Sequence, residues 1–175
     1  VRPGTLKLFQ ERFGPCGLKP NVQSPSYGLA EGTLAAVCTS PNEPPATLAV
    51  DADALEQHKV VPAAEGSSGS RVLAACGKTV FGMKTEIADP ATLTRAPKGG
   101  VGEIWLSSPS VCAGYWKRPE ETREIFQARL ADTGGGPFLR TGDLGFIHND
   151  YLYITGRIKD LIIIHGVNYY PQDIE

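Results

Sequence analysis

Three short stretches of the sequence hold residues whose types and spacing suit chemistry on a nucleotide. Tyr27-Gly28-Leu29-Ala30-Glu31 sets an aromatic ring, a glycine and a carboxylate at a strand-to-loop junction. A flat ring stacks on a base, a glycine lets backbone approach a ligand, and a carboxylate holds Mg2+. The same residues also make an ordinary turn closed by an exposed glutamate. Phe138 to Gly145, Phe-Leu-Arg-Thr-Gly-Asp-Leu-Gly, puts Asp143 between two glycines after an apolar run. A fixed carboxylate there accepts both hydroxyls of a ribose, or closes an Asx turn. Gly156-Arg157-Ile158-Lys159-Asp160 presents Arg157 on a glycine bend, suited to ribose or phosphate oxygens or to a surface pair with Asp160. Two further segments, Gly102-Glu103 and Gly114-Tyr115-Trp116, read most simply as a strand pair in a core.

Other patterns carry no such chemistry. Thr133-Gly134-Gly135-Gly136-Pro137 lacks the Gly-Lys-Ser/Thr that would make it a phosphate loop. Asp51, Asp53 and Glu56 fall near calcium-loop spacing, but Glu56 stands where that loop needs glycine. Both are turns. The serines and histidines form no nucleophile elbow. Cys16, Cys38, Cys76 and Cys112 are scattered singly, and with His58, His148 and His165 they lack zinc spacing. Free thiols of a reducing cytoplasm are the expectation.

The elements that must position these residues follow from periodicity. Leu6, Phe9 and Phe13 recur at helical spacing between Pro3-Gly4-Thr5 and Gly14-Pro15, which predicts a helix over 5–13. Residues 40–70 read as loop, with a strand at 47–50. Strand-like runs follow at 79–88, 102–107 and 111–115. Pro119, Glu120 and Glu121 open a helix expected to run through Ile125, Phe126 and Leu130 to the glycine cluster. Runs at 144–148 and 151–155 flank a hairpin turn at His148-Asn149-Asp150.

Composition narrows the class. With 175 residues, 41% hydrophobic, the chain can bury a core of ordinary size, and one domain is the default. Seventeen basic and nineteen acidic residues give a net charge of -2 with no basic block, which argues against a nucleic-acid backbone or an anionic membrane as partner. No apolar run approaches a membrane span, and Val1-Arg2-Pro3-Gly4 does not open a signal peptide.

Order and spacing join the separate signals. Tyr-Gly-x-x-Glu, Gly-Glu-Ile-x-Leu, Gly-Tyr-Trp, a helix, Thr-Gly-Asp and Gly-Arg-x-Lys-Asp together resemble the adenylate-forming superfamily of acyl-CoA synthetases, peptide-synthetase adenylation domains and luciferases. Ala30 in Ser-Tyr-Gly-Leu-Ala-Glu, the run Gly134 to Phe146, and the segment Gly156 to Glu175 are similar to the fatty acyl-AMP ligases in particular. So is the stretch of 44 residues from Gly32 to Ala75, which matches an insertion thought to restrain the C-terminal domain and to disfavour the CoA-using step.

The resemblance implies an α/β fold: a fragment of the N-terminal domain of an adenylate-forming enzyme, mainly a distorted β-barrel-like subdomain with a few helices. Residues 1–31 would end an α/β subdomain, 32–158 would form the β-rich subdomain with an insertion-like region at about 40–75, and 159–175 would hold the hinge and the start of the C-terminal domain. The chain would then be an internal piece of a longer protein. It lacks the upstream phosphate loop and the final lysine that relatives use. Implied roles are adenine contact for Tyr27 and Gly28, Mg2+ ligation for Glu31, ribose for Asp143 and Arg157, and a domain hinge at Lys159. The implied ligands are ATP or AMP and Mg2+, with a fatty acid as substrate and an acyl carrier protein as acceptor, in the cytoplasm. An acyl-CoA synthetase or a non-catalytic adenylation-like binding module is the alternative.

Overall fold

The computed structural model describes residues 1–164 and 167–169, with side chains described through Leu161. Of the stretch 159–175 expected to open a further domain, residues 165, 166 and 170–175, His165 among them, lie outside the described ones.

Helix α1 spans Pro3–Phe13 and begins two residues before the expected start. Proline at the first helical position loses nothing by lacking an N–H that no helix partner would accept. The chain then passes through 3-10 turns into β1 (Ser26–Tyr27), a 3-10 turn at Ala30–Gly32, and β2 (Val37–Cys38). The loop-like region 40–70 contains more structure than its composition suggests. Strand β3 (Thr47–Asp51) leads into the short helix α2 (Ala52–Glu56), and β4 (Ser70–Ala74) returns antiparallel to β3. The acidic cluster there has a local purpose: Asp51 Oδ1 accepts the Ala54 N–H at 2.7 Å and caps α2.

Strands β5 (Lys78–Thr79) and β6 (Lys84–Ala88) replace the single run expected at 79–88. The break is Gly82, whose φ of +81° turns the chain. Strand β7 spans Gly102–Ser107, as expected. The run at 111–115 is not a strand. Its backbone is used elsewhere: Cys112 N–H donates to the Glu31 carbonyl, and Tyr115 N–H to Thr122 Oγ1.

Helix α3 covers Pro119–Phe126 and stops short of the predicted Leu130. Ala128 instead exchanges two backbone hydrogen bonds with Phe138, and Leu130 is buried beside Trp105 and Phe138. Here tertiary pairing overrides helical periodicity. Strands β8 (Leu139–His148) and β9 (Tyr151–Arg157) are longer than predicted and meet at Asn149-Asp150, both with positive φ. That is the two-residue hairpin turn whose twist suits antiparallel strands. A 3-10 turn at Ile158–Asp160 leads to the hairpin β10 (Ile162–Ile164) and β11 (Val167–Tyr169).

These elements make a mixed α/β fold dominated by strands. The main sheet is the antiparallel meander β6-β7-β8-β9, beside a three-stranded sheet ordered β1-β2-β5 and the β3-β4 and β10-β11 hairpins. Among the described residues the sheets share cores without closing into a barrel. Cys76 N–H donates to Leu152 O and Leu152 N–H to Gly77 O, which ties the end of β4 and the start of β5 to β9. One core joins β1 and β2 to Ile104, Leu106 and Leu139 of the meander. A second packs Val50, Leu55 and Leu73 on Phe146 and Tyr153, whose rings stack at 5.1 Å. Such a pair contributes about 1 kcal/mol beyond its area burial. Strand β11 comes to rest against α2.

His58 is one point where this packing responds to pH. It follows α2 with φ of +58°, and its carbonyl accepts the Val101 N–H at 2.9 Å. Among the described residues its Nε2 is buried without a hydrogen-bond partner. Burial lowers its pKa from the usual value, with Asp89 opposing the shift. The unfolded chain therefore binds a proton more readily than the folded one, so stability is full above about pH 6.5 and falls on acidification below it. Replacing His58 with glutamine should flatten the drop in melting temperature between about pH 7.5 and pH 5.5. An equal drop in both proteins would refute this.

Candidate functional site

A cleft of about 910 Å3 runs between the β1 loop and the ends of β8 and β9. Tyr27, Gly28, Glu31, Asp143, Arg157 and Lys159, all the candidates singled out in the sequence, line it together.

Asp143 occupies its centre. It is buried, with 7% of its surface exposed, and both carboxylate oxygens are engaged. Tyr27 donates its hydroxyl to Oδ2 at 2.7 Å, and Arg157 donates Nε to Oδ1 at 2.8 Å. Arg157 lies opposite Asp143 in the β8-β9 ladder, so the pairing follows from strand register. The ion pair of Arg157 forms with Asp143 rather than with Asp160, the surface partner expected from the sequence. The charge of Asp143 raises the Arg157 pKa. Burial raises the Tyr27 pKa, and Asp143 adds to that shift. Tyr27 therefore remains a protonated donor at any working pH.

Glu31 sits in the 3-10 turn that follows β1. Its Oε1 accepts the hydroxyl of Tyr115 at 2.8 Å, and its backbone carbonyl accepts the Cys112 N–H at 2.8 Å. Burial, followed by the hydrogen bond to Glu31, pushes the Tyr115 pKa up to about 12. The Tyr115 ring packs edge-on against Phe126 of α3 at 5.0 Å, which holds the donor in place. Gly28 lies under the returning loop, where an added Cβ would stand 1.4 Å from the Leu34 carbonyl oxygen. Lys159 is exposed in the turn after β9.

Residues 1–116 match the family described as AMP-binding enzyme. The chain belongs to that family. Among the AMP-binding relatives, the medium-chain-fatty-acid acyl-carrier-protein ligase JamA of Moorena producens is 47% identical over 177 residues, a match that takes in 100% of this chain and 30% of JamA. The long-chain-fatty-acid AMP ligase FadD26 of Mycobacterium marinum is 41% identical over 180 residues, with 100% of this chain and 30% of that protein covered. In solved structures, a fatty acyl-adenylate ligase from L. pneumophila in complex with acyl adenylate and pyrophosphate superimposes with a TM-score of 0.84 at 43% identity, over 100% of this chain and 30% of that one. An adenylation domain of a keto acid-selecting NRPS module bound to keto acyl adenylate gives 0.79 at 31% identity, over 100% of this chain and 32% of that one. The chain thus spans about 30% of the length of these curated AMP-binding relatives.

Two residues of this cleft read in the sequence only as parts of core strands. Glu103 and Tyr115 both line it. Glu103 carried a usable signal, since a carboxylate in the apolar run Gly-Glu-Ile-Trp-Leu demands buried partners. Tyr115 carried none, because its contact with Glu31 crosses 84 residues of sequence.

Proposed function

We propose that this chain is the nucleotide-binding part of an ATP-dependent fatty acyl-AMP ligase. In that reaction an oxygen of the fatty-acid carboxylate bonds to the α-phosphorus of ATP. The bond from that phosphorus to the bridging oxygen breaks and pyrophosphate leaves; the thiol of an acyl carrier protein then attacks the acyl carbon of the adenylate, forming a thioester as the bond to the phosphate oxygen breaks and AMP leaves. The observation that carries the reading is the convergence of Tyr27 and Arg157 on the buried carboxylate of Asp143, with Glu31 in the same cleft. The similarity to fatty-acid AMP ligases supports the substrate class.

Each residue has a definite task in this reading. Asp143 accepts the ribose hydroxyls with the lone pairs that Tyr27 and Arg157 leave free, since a carboxylate offers about four acceptor sites. Arg157, two-thirds exposed, keeps donors available to the sugar or a nearby phosphate. The Tyr27 ring and the backbone at Gly28 line the adenine position. Ala30 offers no hydroxyl to the phosphate, so that contact falls to other groups.

Glu31 suits Mg2+. Magnesium takes one or two carboxylates and completes its shell with phosphates and water, so no dedicated cage is needed. Among the described residues no cluster of three or more metal-ligating side chains exists, and Glu31 faces the cleft with one oxygen held by Tyr115. Bound there, Mg2+ would neutralise phosphate charge. Removing the Tyr115 hydroxyl frees the Glu31 side chain to rotate. Tyr115→Phe in the full-length ligase should raise the Mg2+ concentration for half-maximal pyrophosphate release several-fold, in keeping with a hydrogen bond of about 1–2 kcal/mol. An unchanged Mg2+ titration would refute the role.

The division of the chain belongs to the same proposal. Residues 1–31 end one subdomain, 32–158 form the β-rich body, and Lys159 starts a hinge into a C-terminal domain. The approach of β11 to α2 supports a restraint of that domain by the 40–75 region, which favours adenylate over thioester formation. No described helix is long and apolar enough to cross a membrane, and a cytoplasmic enzyme is the fitting setting.

Full-length ligase supplied with fatty acid, ATP and CoA should accumulate acyl-adenylate and little acyl-CoA. Efficient acyl-CoA formation would make it an acyl-CoA synthetase, and the lack of fatty-acid-dependent pyrophosphate release would make it a binding module. Residues 1–175 alone should release no pyrophosphate.

A further inference from the structure

We infer that Glu103 is the positioning residue for Asp143, setting the geometry of the ribose carboxylate without touching the nucleotide. The inference rests on the reading that Asp143 holds the ribose.

The register between β7 and β8 is interrupted at this point. Glu103 pairs with Leu144 and Trp105 with Arg140, so Ile104 alone faces Thr141, Gly142 and Asp143. Three residues against one form a special bulge, which leaves backbone groups without ladder partners and bends the strand. Two devices pin it. Thr141 Oγ1 donates to the Ile104 carbonyl at 2.7 Å and accepts the Asp143 N–H at 3.1 Å. Glu103 spans the rest. Its Oε1 accepts the Gly142 N–H at 3.1 Å. Its Oε2 accepts Trp105 Nε1 at 2.9 Å and Arg140 Nε at 3.0 Å, and lies 2.9 Å from Arg140 Nη2 as an ion pair.

Three N–H donors therefore converge on a side chain that is 2% exposed. Only an acceptor without hydrogens of its own satisfies them all, which is what distinguishes a carboxylate from an amide. Gly142 is the residue immediately before Asp143, and its φ of +72° is the bend that turns Asp143 toward Tyr27 and Arg157. Fixing the Gly142 amide fixes that bend. Trp105, fully buried, anchors Glu103 in turn. Loss of the carboxylate leaves the Gly142 N–H and the Arg140 guanidinium short of partners, and the bulge relaxes.

A positioning role predicts a selective defect. Wild-type full-length ligase should use ATP much better than 2′-deoxy-ATP or 3′-deoxy-ATP, because Asp143 reads the hydroxyls. Asp143→Asn should collapse that preference. Glu103→Gln should reduce the ATP-to-deoxy-ATP ratio of kcat/KM by about tenfold or more, since a displacement near 1 Å at a site costs up to about 10²-fold. Its KM for fatty acid should stay unchanged, and Glu103→Asp should recover part of the ratio. A wild-type ratio in folded Glu103→Gln overturns the inference, leaving Glu103 as a fold residue only. Should Glu103→Gln fail to fold, Gly142→Ala decides. An added Cβ there meets nothing within 4 Å, yet the positive φ strains the same bulge, so retention of the wild-type ratio overturns the inference. If Asp143→Asn itself keeps the preference, the ribose reading fails first, and that outcome is separate from a failure at Glu103.

Discussion

Asparagine in place of Asp143 should reduce kcat/KM for ATP by roughly 10²- to 10⁴-fold in full-length ligase, with a near-wild-type fatty-acid KM. The size follows from the contacts. Asp143 holds two donors already, Tyr27 at 2.7 Å and Arg157 at 2.8 Å, and the ribose would add two more. Asparagine matches the shape but supplies a single acceptor oxygen, and its NH2 must face a donor. Hydrogen bonds to a charged acceptor are worth about 1.5–3 kcal/mol each, so two lost in the nucleotide complex give the stated range. The buried Tyr27 hydroxyl also loses a charged partner, and the melting temperature should fall by a few degrees, as about 1 kcal/mol would require in a chain of this size. Steady-state kinetics with both substrates check the first effect and thermal unfolding the second. A variant within a few-fold of wild type for ATP would remove Asp143 from the site.

Alanine at Gly28 should be still more disruptive to structure, destabilising the protein by about 3 kcal/mol and abolishing measurable adenylate binding. The backbone conformation of Gly28 is not the cause. The cause is the loop that folds over it. Leu34 N–H donates to Leu29 O and Ala36 N–H to Tyr27 O, closing residues 29–35 into a tight return. That return places the Leu34 carbonyl oxygen 1.4 Å from any Cβ at position 28. Thr33 and Leu34, both at positive φ, are already spent on making the turn, so the loop has little freedom to yield. Gly4→Ala is the matched control. It lies in α1 with nothing within 4 Å of the added Cβ, and should be neutral or stabilising by a few tenths of a kcal/mol. Denaturant midpoints and binding of an acyl-adenylate analogue test the pair. Equal behaviour of the two variants would show that the Leu34 contact does not constrain the site.

Both predictions draw on motifs that are ambiguous one by one and gain meaning from their order. The glycine and carboxylate of Tyr-Gly-x-x-Glu, the aspartate of Thr-Gly-Asp and the arginine after Gly156 are residue types suited to a nucleotide, and all line one cleft. Strand β7 and the hairpin turn between β8 and β9 were likewise readable, because a short apolar run and turn chemistry are local properties. The errors fall where distant partners compete with local preference. Residues 111–115 have strand composition but donate their N–H groups to Glu31 and Thr122. Residues 127–130 continue the helical pattern of α3, yet Ala128 pairs with Phe138 instead. Strand β4 begins at Ser70, where the loop-like stretch ends, and its pairing with β3 makes it a strand.

What the sequence determined by itself was the chemical vocabulary and its order: an aromatic and a carboxylate on one loop, an acid between glycines, and a guanidinium at the end of the last long strand. How these groups are wired came from the folded chain. Tyr27 donates to Asp143 across 116 positions, and Tyr115 holds Glu31 across 84. Glu103 grips the bulge before Asp143 across 39. Residue type is set where a side chain is encoded, but hydrogen bonds of this range exist only after the sheets register and the loops close. Their partners leave no periodic or local trace, and the folded chain alone reveals them.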